Sequence, residues 1–246
     1  MKVLLPRDRR DDPLARALRD AGHQPVTATL VRTVPAEPAV LDQALASWPD
    51  HRWVAVTSAT TAEVLAERAA ARGATLGELA GRASVAAVGP STARALAAAG
   101  VEAALVPPRS SAADLVAAWP PPGEDRHVLW PRSARASATL AAGLRERGWD
   151  VTEIPVYDTV TTPPDLETRA LLASDGLGAV VLTSGSTARA LAEQSPLHEA
   201  IRVVALGPVT AADARRAGLT VHAVADEQTP DGVVAVLDSL ARTENP

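Results

Sequence analysis

Short aliphatic or β-branched runs alternate along this chain with longer stretches in which Ala and Leu recur at helical spacing among charged residues. The runs predict strands and the longer stretches amphipathic helices. Ten candidate strands fall near residues 2-5, 25-29, 52-57, 84-88, 102-106, 126-130, 150-154, 178-182, 202-206 and 220-224. A strand, a turn and a helix in regular succession is the pattern of βαβ units and predicts parallel sheets. Gly22, Gly73, Gly100, Gly148 and Gly218 stand where helices should stop. A glycine accepts the left-handed C-cap conformation without a Cβ clash, so these five are read as structural. Two stretches with proline, 30-38 and 156-164, lack helical pattern and are read as extended linkers.

The pattern repeats. Val54-Ala55-Val56-Thr57-Ser58-Ala59-Thr60-Thr61-Ala62 returns as Val180-Val181-Leu182-Thr183-Ser184-Gly185-Ser186-Thr187-Ala188, displaced by 126 positions. Val88-Gly89-Pro90-Ser91-Thr92-Ala93 returns as Leu206-Gly207-Pro208-Val209-Thr210-Ala211, displaced by 118. Val3-Leu4-Leu5-Pro6-Arg7 matches Val128-Leu129-Trp130-Pro131-Arg132. Three matches in the same order predict an internal duplication of about 120 residues.

Composition narrows the possibilities. With 246 residues, 47% of them apolar, the chain can bury one large core or two compact ones, which allows two α/β domains of about 100 to 150 residues. Cysteine is absent, which removes disulfides, thiolate metal sites and a thiol nucleophile together and fits a reducing cytosol. Phe is absent, Tyr occurs once and Trp five times, so the cores must be built from Ala, Val and Leu. A formal net charge of -5 gives no global basic field for nucleic acid. The apolar N-terminal run is too short for a signal peptide, and no stretch approaches the roughly 20 apolar residues of a membrane span. A soluble cytoplasmic protein is expected.

Candidate chemistry gathers where strands meet helices. Thr57-Ser58 and Thr183-Ser184 each end a strand just before a helix. Ligands of open parallel sheets bind beyond these strand ends, where backbone N–H groups and the helix dipole favour anions. The same serines also suit helix N-caps. Gly89-Pro90-x-Thr92 and Gly207-Pro208-x-Thr210 repeat the arrangement at the next turn; their hydroxyls can bind a carboxylate or the helix's own N–H. Tyr157, in the second linker beside Asp158, offers a phenol that can donate a proton or simply pack its ring. Arg7 and Arg132 follow the first strand of each repeat and can meet an anionic ligand or form surface ion pairs. The five histidines, His23, His51, His127, His198 and His222, lack ligand spacing, so no metal site is expected. No dinucleotide, P-loop or nucleophile-elbow motif is present. The mixed-sign run from Arg7 to Asp12 reads as a solvated loop.

Together, Thr57-Ser58, Val88-Gly89-Pro90-x-Thr92-Ala93, Val156-Tyr157, Thr183-Ser184-x-Ser186 and Leu206-Gly207-Pro208-x-Thr210-Ala211 resemble the uroporphyrinogen-III synthase family along nearly the whole chain. Departures stand at Thr60, where many members carry Asn, and at Pro6 before Arg7, where Thr is common. The resemblance implies an α/β protein with two flavodoxin-like domains, each with a parallel five-stranded sheet, joined by a two-stranded linker around a deep cleft. Residues 1–33 and 163–246 would form one domain and residues 37–155 the other, with linkers at 30–37 and 156–163. It implies a cofactor-free enzyme that cyclises hydroxymethylbilane, a linear tetrapyrrole with eight carboxylates, to uroporphyrinogen III. Loss of the terminal hydroxyl would give an azafulvene cation, and attack by the substituted carbon of ring D a spiro intermediate, whose fragmentation and reclosure invert ring D with net loss of water. Tyr157 would assist hydroxyl departure, while Ser58, Thr92, Ser184, Ser186 and Thr210, with Arg7 and Arg132, would bind carboxylates. A monomer is expected, with possible handover from the hydroxymethylbilane-producing enzyme and no nucleic-acid or membrane partner.

Fold does not fix function, so a non-catalytic two-domain binder of an anion or tetrapyrrole is the competing reading. A flavodoxin-type redox protein conflicts with the scarcity of aromatic residues to sandwich an isoalloxazine.

Overall fold

Strands rich in Val, Ala and Leu and buried on both faces must be covered by helices on both sides, and this requirement shapes each half of the molecule. The computed structural model describes residues 1–7, 12–194 and 197–243; Asp8 to Asp11, the centre of the expected solvated loop, lie outside them. The strands are β1 (Lys2–Leu5), β2 (Gln24–Thr27), β3 (Val31–Pro35), β4 (Trp53–Val56), β5 (Ser84–Ala87), β6 (His127–Ser133), β7 (Asp150–Thr161), β8 (Ala179–Leu182), β9 (Arg202–Ala205) and β10 (Ala223–Val224). They form two five-stranded sheets, ordered β10-β9-β8-β1-β2 and β3-β7-β6-β4-β5. The chain divides into two compact units, Met1–Arg32 with Val160–Pro246 and Thr33–Thr159.

In the first unit every pair along the sheet is parallel. Successive residues enter opposite cores, as the period of two demands. On β8, Val180 and Leu182 join one cluster with Leu172, Leu191 and Val203, while Ala179 and Val181 join the other with Leu14, Leu18 and Leu237. In the second unit β7, β6, β4 and β5 are likewise parallel neighbours. Val54 and Val56 face the cluster holding Trp48 and Leu65, and Ala55 faces the one holding Trp119, Trp130 and Trp149. Tryptophan supplies the bulk that the missing phenylalanines would have given.

The repeated segments occupy equivalent places. β7, β6, β4 and β5 follow one another across their sheet as β2, β1, β8 and β9 do across theirs. The counterpart of β10 is reduced to a single parallel bridge between Ala86 and Leu105. The expected strand at 102-106 does not extend beyond it because Pro107-Pro108 has no N–H groups with which to continue the ladder. The expected strand at 220-224 is likewise only the two residues of β10.

The proline-bearing stretches are extended. The Ala36 N–H donates to the Val156 carbonyl at 2.9 Å, and the Thr162 N–H to the Leu30 carbonyl at 2.8 Å. The rise of one residue number as the other falls is the antiparallel sense, so β3 runs against β7. Helix endings follow the sequence: Gly148 has φ +86°, and Gly22, Gly73, Gly100 and Gly218 share the left-handed region.

One irregularity bears on the site. Arg132 of β6 pairs with Pro155, but Ser133 pairs with Tyr157, so β7 gains a residue at Val156. Regular alternation would send Val156 and Tyr157 to opposite faces. The bulge turns Tyr157 into the same cluster as Ile154 and Val156.

Leu65, wholly buried in helix Ala59–Ala71, tests this packing. Leu65→Ala should lower stability by about 2–5 kcal/mol through lost transfer energy and a residual cavity, read as a lower urea midpoint with an unchanged slope.

Candidate functional site

Because the strands run parallel, their C-terminal ends in each unit share one edge, where the following helices present unpaired N–H groups. The chain answers these N–H groups with Ser, Thr, Asp and Gly. Ser58 is the N-cap of helix Ala59–Ala71, and its Oγ accepts the Thr61 N–H at 3.0 Å. The same oxygen lies 2.8 Å from Thr61 Oγ1 and 3.0 Å from the Tyr157 hydroxyl. Thr61 is wholly buried and the tyrosine is 8% exposed, so this hydroxyl cluster rests on a fixed base.

Neighbouring contacts hold the edge in place. The Trp130 indole N–H donates to Thr57 Oγ1 at 3.1 Å. The Arg132 guanidinium stands 5.4 Å from the centre of the Trp130 ring and donates through Nη1 to the Ser133 carbonyl at 2.8 Å. Arg132 Nε is 2.8 Å from a Glu153 carboxylate oxygen, close enough for an ion pair but not aligned as a hydrogen bond. The Ala134 N–H donates to the Tyr157 carbonyl at 2.8 Å. Arg135 Nε donates to Asp158 Oδ1 at 2.8 Å. This hydrogen bond, with help from the Thr159 N–H, holds the Asp158 carboxyl below the ordinary carboxylate range against a smaller opposing effect of burial.

The first unit repeats the cap without the phenol. Ser184 Oγ accepts the Thr187 N–H at 3.3 Å and lies 2.9 Å from Ser186 Oγ and 3.1 Å from Thr187 Oγ1. Thr187 returns a hydrogen bond to the Ser184 carbonyl at 2.8 Å. At the next turn Gly89 and Gly207 are N-caps followed by Pro90 and Pro208, and as glycines they bring no side-chain cap hydrogen bond. Each glycine admits a side chain from a later loop: a Cβ at Gly89 would overlap Ser110, and one at Gly207 would overlap Gln228. Ser110 and Gln228 are themselves 118 positions apart, the same displacement as the glycines.

The expected site residues therefore separate into groups. Ser58 and Tyr157 meet, as do Ser184 and Ser186. Thr210 is half-buried near its helix start, whereas Thr92 is only 1% exposed. Arg7 is engaged by Asp12 through two hydrogen bonds of 2.8 and 2.9 Å. Asp12 also caps helix Pro13–Asp20 by accepting the Leu14 N–H at 3.0 Å. The sequence reading omitted Thr61, Thr187, Trp130 and Arg135. The first two were legible as a Ser-x-x-Thr pattern in both repeats; the other two come from β6 and its end, with no local signal.

A cavity of about 460 Å³ in the first unit lies at the other end of the strands, lined by His198, Ile201, Gly218 and His222 among others. Helices finish there, and their C-terminal dipoles oppose an anion. Burial and the charge of Arg202 push the His222 imidazole below its usual range, consistent with its Nδ1 accepting the Val203 N–H at 3.0 Å. Among the described residues no three His, Cys, Asp or Glu side chains group as a metal site, and no helix is long and apolar enough to cross a membrane.

Fold and edge define a class first: a two-unit parallel α/β protein whose strand ends gather hydroxyls and helix N-termini. The family model for uroporphyrinogen-III synthase HemD matches residues 12–235, and the chain belongs to that family. It is 28% identical over 243 residues to a uroporphyrinogen-III synthase of Synechococcus elongatus, spanning 94% of this chain and 91% of the relative. A solved mutant uroporphyrinogen III synthase from the extremely thermophilic bacterium Thermus thermophilus matches with a TM-score of 0.71 at 19% identity, over 99% of both chains. The uroporphyrinogen-III synthetase of Helicobacter pylori gives 0.65 at 16% identity, over 97% of this chain and 99% of the other. At these identities the two structures speak for the fold.

Two outcomes are expected from these contacts. Asp12→Ala removes a helix cap together with the partner of Arg7 and should cost about 1–2 kcal/mol in denaturant unfolding. The depressed Asp158 carboxyl makes its ion pair contribute above the unfolded carboxylate value of about 3.9 and lose that contribution as pH falls through the lower folded value. The Thr159 amide resonance should therefore move in acid below that unfolded value, and Asp158→Asn should abolish the movement.

Proposed function

We propose that this chain converts hydroxymethylbilane to uroporphyrinogen III, inverting ring D through a spiro intermediate with net loss of water. Family membership supplies the tetrapyrrole. The observation that carries the chemistry is the lone phenol of Tyr157, 3.0 Å from Ser58 Oγ at the strand-end edge. In this reading the Tyr157 O–H gives its proton to the departing hydroxyl as the carbon–oxygen bond breaks, releasing water and leaving an azafulvene cation beside the phenolate. The substituted carbon of ring D attacks to form the spiro centre, which fragments and recloses through the other α-carbon. That carbon sheds its hydrogen as a proton, which restores the phenol, so protons balance over the cycle.

Carboxylates of the substrate are bound by Ser184, Ser186 and Thr210 and by the open N–H groups after Gly89 and Gly207. Thr92 contributes through that turn rather than through an exposed hydroxyl. Arg132 and Arg135 supply positive potential, and Arg7 does so only by exchanging Asp12 for the ligand. Hydroxymethylbilane also closes without inversion, so holding the strained conformer against that route is the main task.

The domain reading accompanies this function. Residues 1–33 with 163–246 and residues 37–155 act as two flavodoxin-like domains descended from one duplicated ancestor, with 30–37 and 156–163 as linkers. The strand succession supports it: β2-β1-β8-β9-β10 is the 2-1-3-4-5 order of such folds, and β7-β6-β4-β5 repeats it in a circularly permuted chain order. The protein works as a cytoplasmic monomer that accepts its labile substrate from the enzyme producing it.

Purified protein, coupled to an enzyme that generates hydroxymethylbilane, should yield the type III isomer. Exclusive formation of type I would overturn the synthase in favour of a non-catalytic binder. Tyr157→Phe should slow type III formation by about 10²-fold, measured by separating the oxidised isomers.

A further inference from the structure

We infer that Ser58 is a positioning residue that sets the direction of the Tyr157 hydroxyl, and that Thr61 completes a three-hydroxyl relay behind it. A serine hydroxyl has one proton to donate and two lone pairs with which to accept. At Ser58 one lone pair is taken by the Thr61 N–H at 3.0 Å. One proton and one lone pair then remain for two neighbours, Thr61 Oγ1 at 2.8 Å and Tyr157 Oη at 3.0 Å. One of those hydroxyls therefore accepts from Ser58 and the other donates to it.

Two arrangements follow. In one, Tyr157 donates to Ser58, and the phenolic proton points away from any substrate. In the other, Thr61 donates to Ser58 and Ser58 donates to Tyr157, which frees the phenolic proton for the leaving hydroxyl. The second arrangement is the productive one. When the proton passes to the departing oxygen, the phenolate left behind already accepts a hydrogen bond from Ser58, and it stands near the positive end of helix Ala59–Ala71.

The surroundings leave little else to vary. The tyrosine ring belongs to the buried cluster that also holds Val54, Val56 and Val156, so rotation of the O–H bond is its main remaining freedom. Thr61 is wholly buried, which keeps water from replacing it. Ser58 itself is held as the helix cap. With its hydrogen-bonding capacity filled, Ser58 acts on substrate through Tyr157 rather than by gripping a carboxylate. The second repeat shows the contrast: Ser184 has Ser186 Oγ at 2.9 Å where Ser58 has the phenol. Duplication thus kept the cap in both units and attached the acid to one.

This inference rests on Tyr157 being the acid of the proposed reaction, and the test separates the two. Tyr157 is the only tyrosine, so protein labelled with ¹³C at the tyrosine Cζ gives one tyrosine signal. Ser58→Ala and Thr61→Val should each shift that signal, Ser58→Thr should restore it, and Ser184→Ala should leave it in place. Ser58→Ala should lower kcat for type III formation about 10-fold with KM changed less than about twofold, and should add nothing in a Tyr157→Phe background. Because Ser58→Ala also removes a cap, urea midpoints are measured alongside; Thr61→Val keeps the cap and probes the relay alone. An unmoved Tyr157 signal, or a rise in KM at constant kcat, would overturn the inference while leaving the synthase intact. Failure of the wild-type protein to make type III would instead remove the synthase, and the resonance shifts would still report the coupling.

Discussion

Parallel strands force every connection to cross back over the sheet, so in each unit strand ends and helix starts collect on the same edge. That edge is where backbone donors go unpaired, and a buried unpaired N–H costs about 1–3 kcal/mol. Much of the site chemistry is the chain's answer to that requirement. Ser58 and Ser184 cap helices before they do anything else, Asp12 caps a third, and Gly89 and Gly207 leave their turns open. The candidate site is built from groups that the fold needs in any case.

This double duty explains why the site residues are not equivalent. A cap hydroxyl has limited capacity, and at Ser58 the helix, Thr61 and Tyr157 use all of it. Ser184 is surrounded by hydroxyls that can reorient toward an incoming anion. The arginines show the same competition: Arg7 is committed to Asp12 and Arg132 to Glu153 and backbone carbonyls. In each unit this pairing keeps the cation ordered.

The repeat was legible because it lies in local sequence. Thr57-Ser58 and Thr183-Ser184, and the two Gly-Pro turns, carry their caps and breakers within a few residues. The strand at 102-106 was overestimated because an apolar run does not reveal whether a neighbour is in reach to pair with it. Here Pro107-Pro108 ends the ladder after one bridge. Trp130, Arg135 and Ser110 escaped notice for a related reason: each reaches the edge from a segment whose own sequence carries no sign of the turn it supports.

The sequence by itself determined the alternation of strands and helices, the glycine stops, the duplicated strand-end hydroxyls and the presence of one phenol. These depend on backbone preferences and periodicity, which act over a few residues. Only the tertiary structure decided that the phenol and the first of those hydroxyls meet, 99 positions apart in sequence. That meeting depends on a bulge at Val156 turning Tyr157 against the alternation of β7. A bulge is a property of two paired strands, since the extra residue exists only relative to the register of β6. No pattern within β7 alone could specify it.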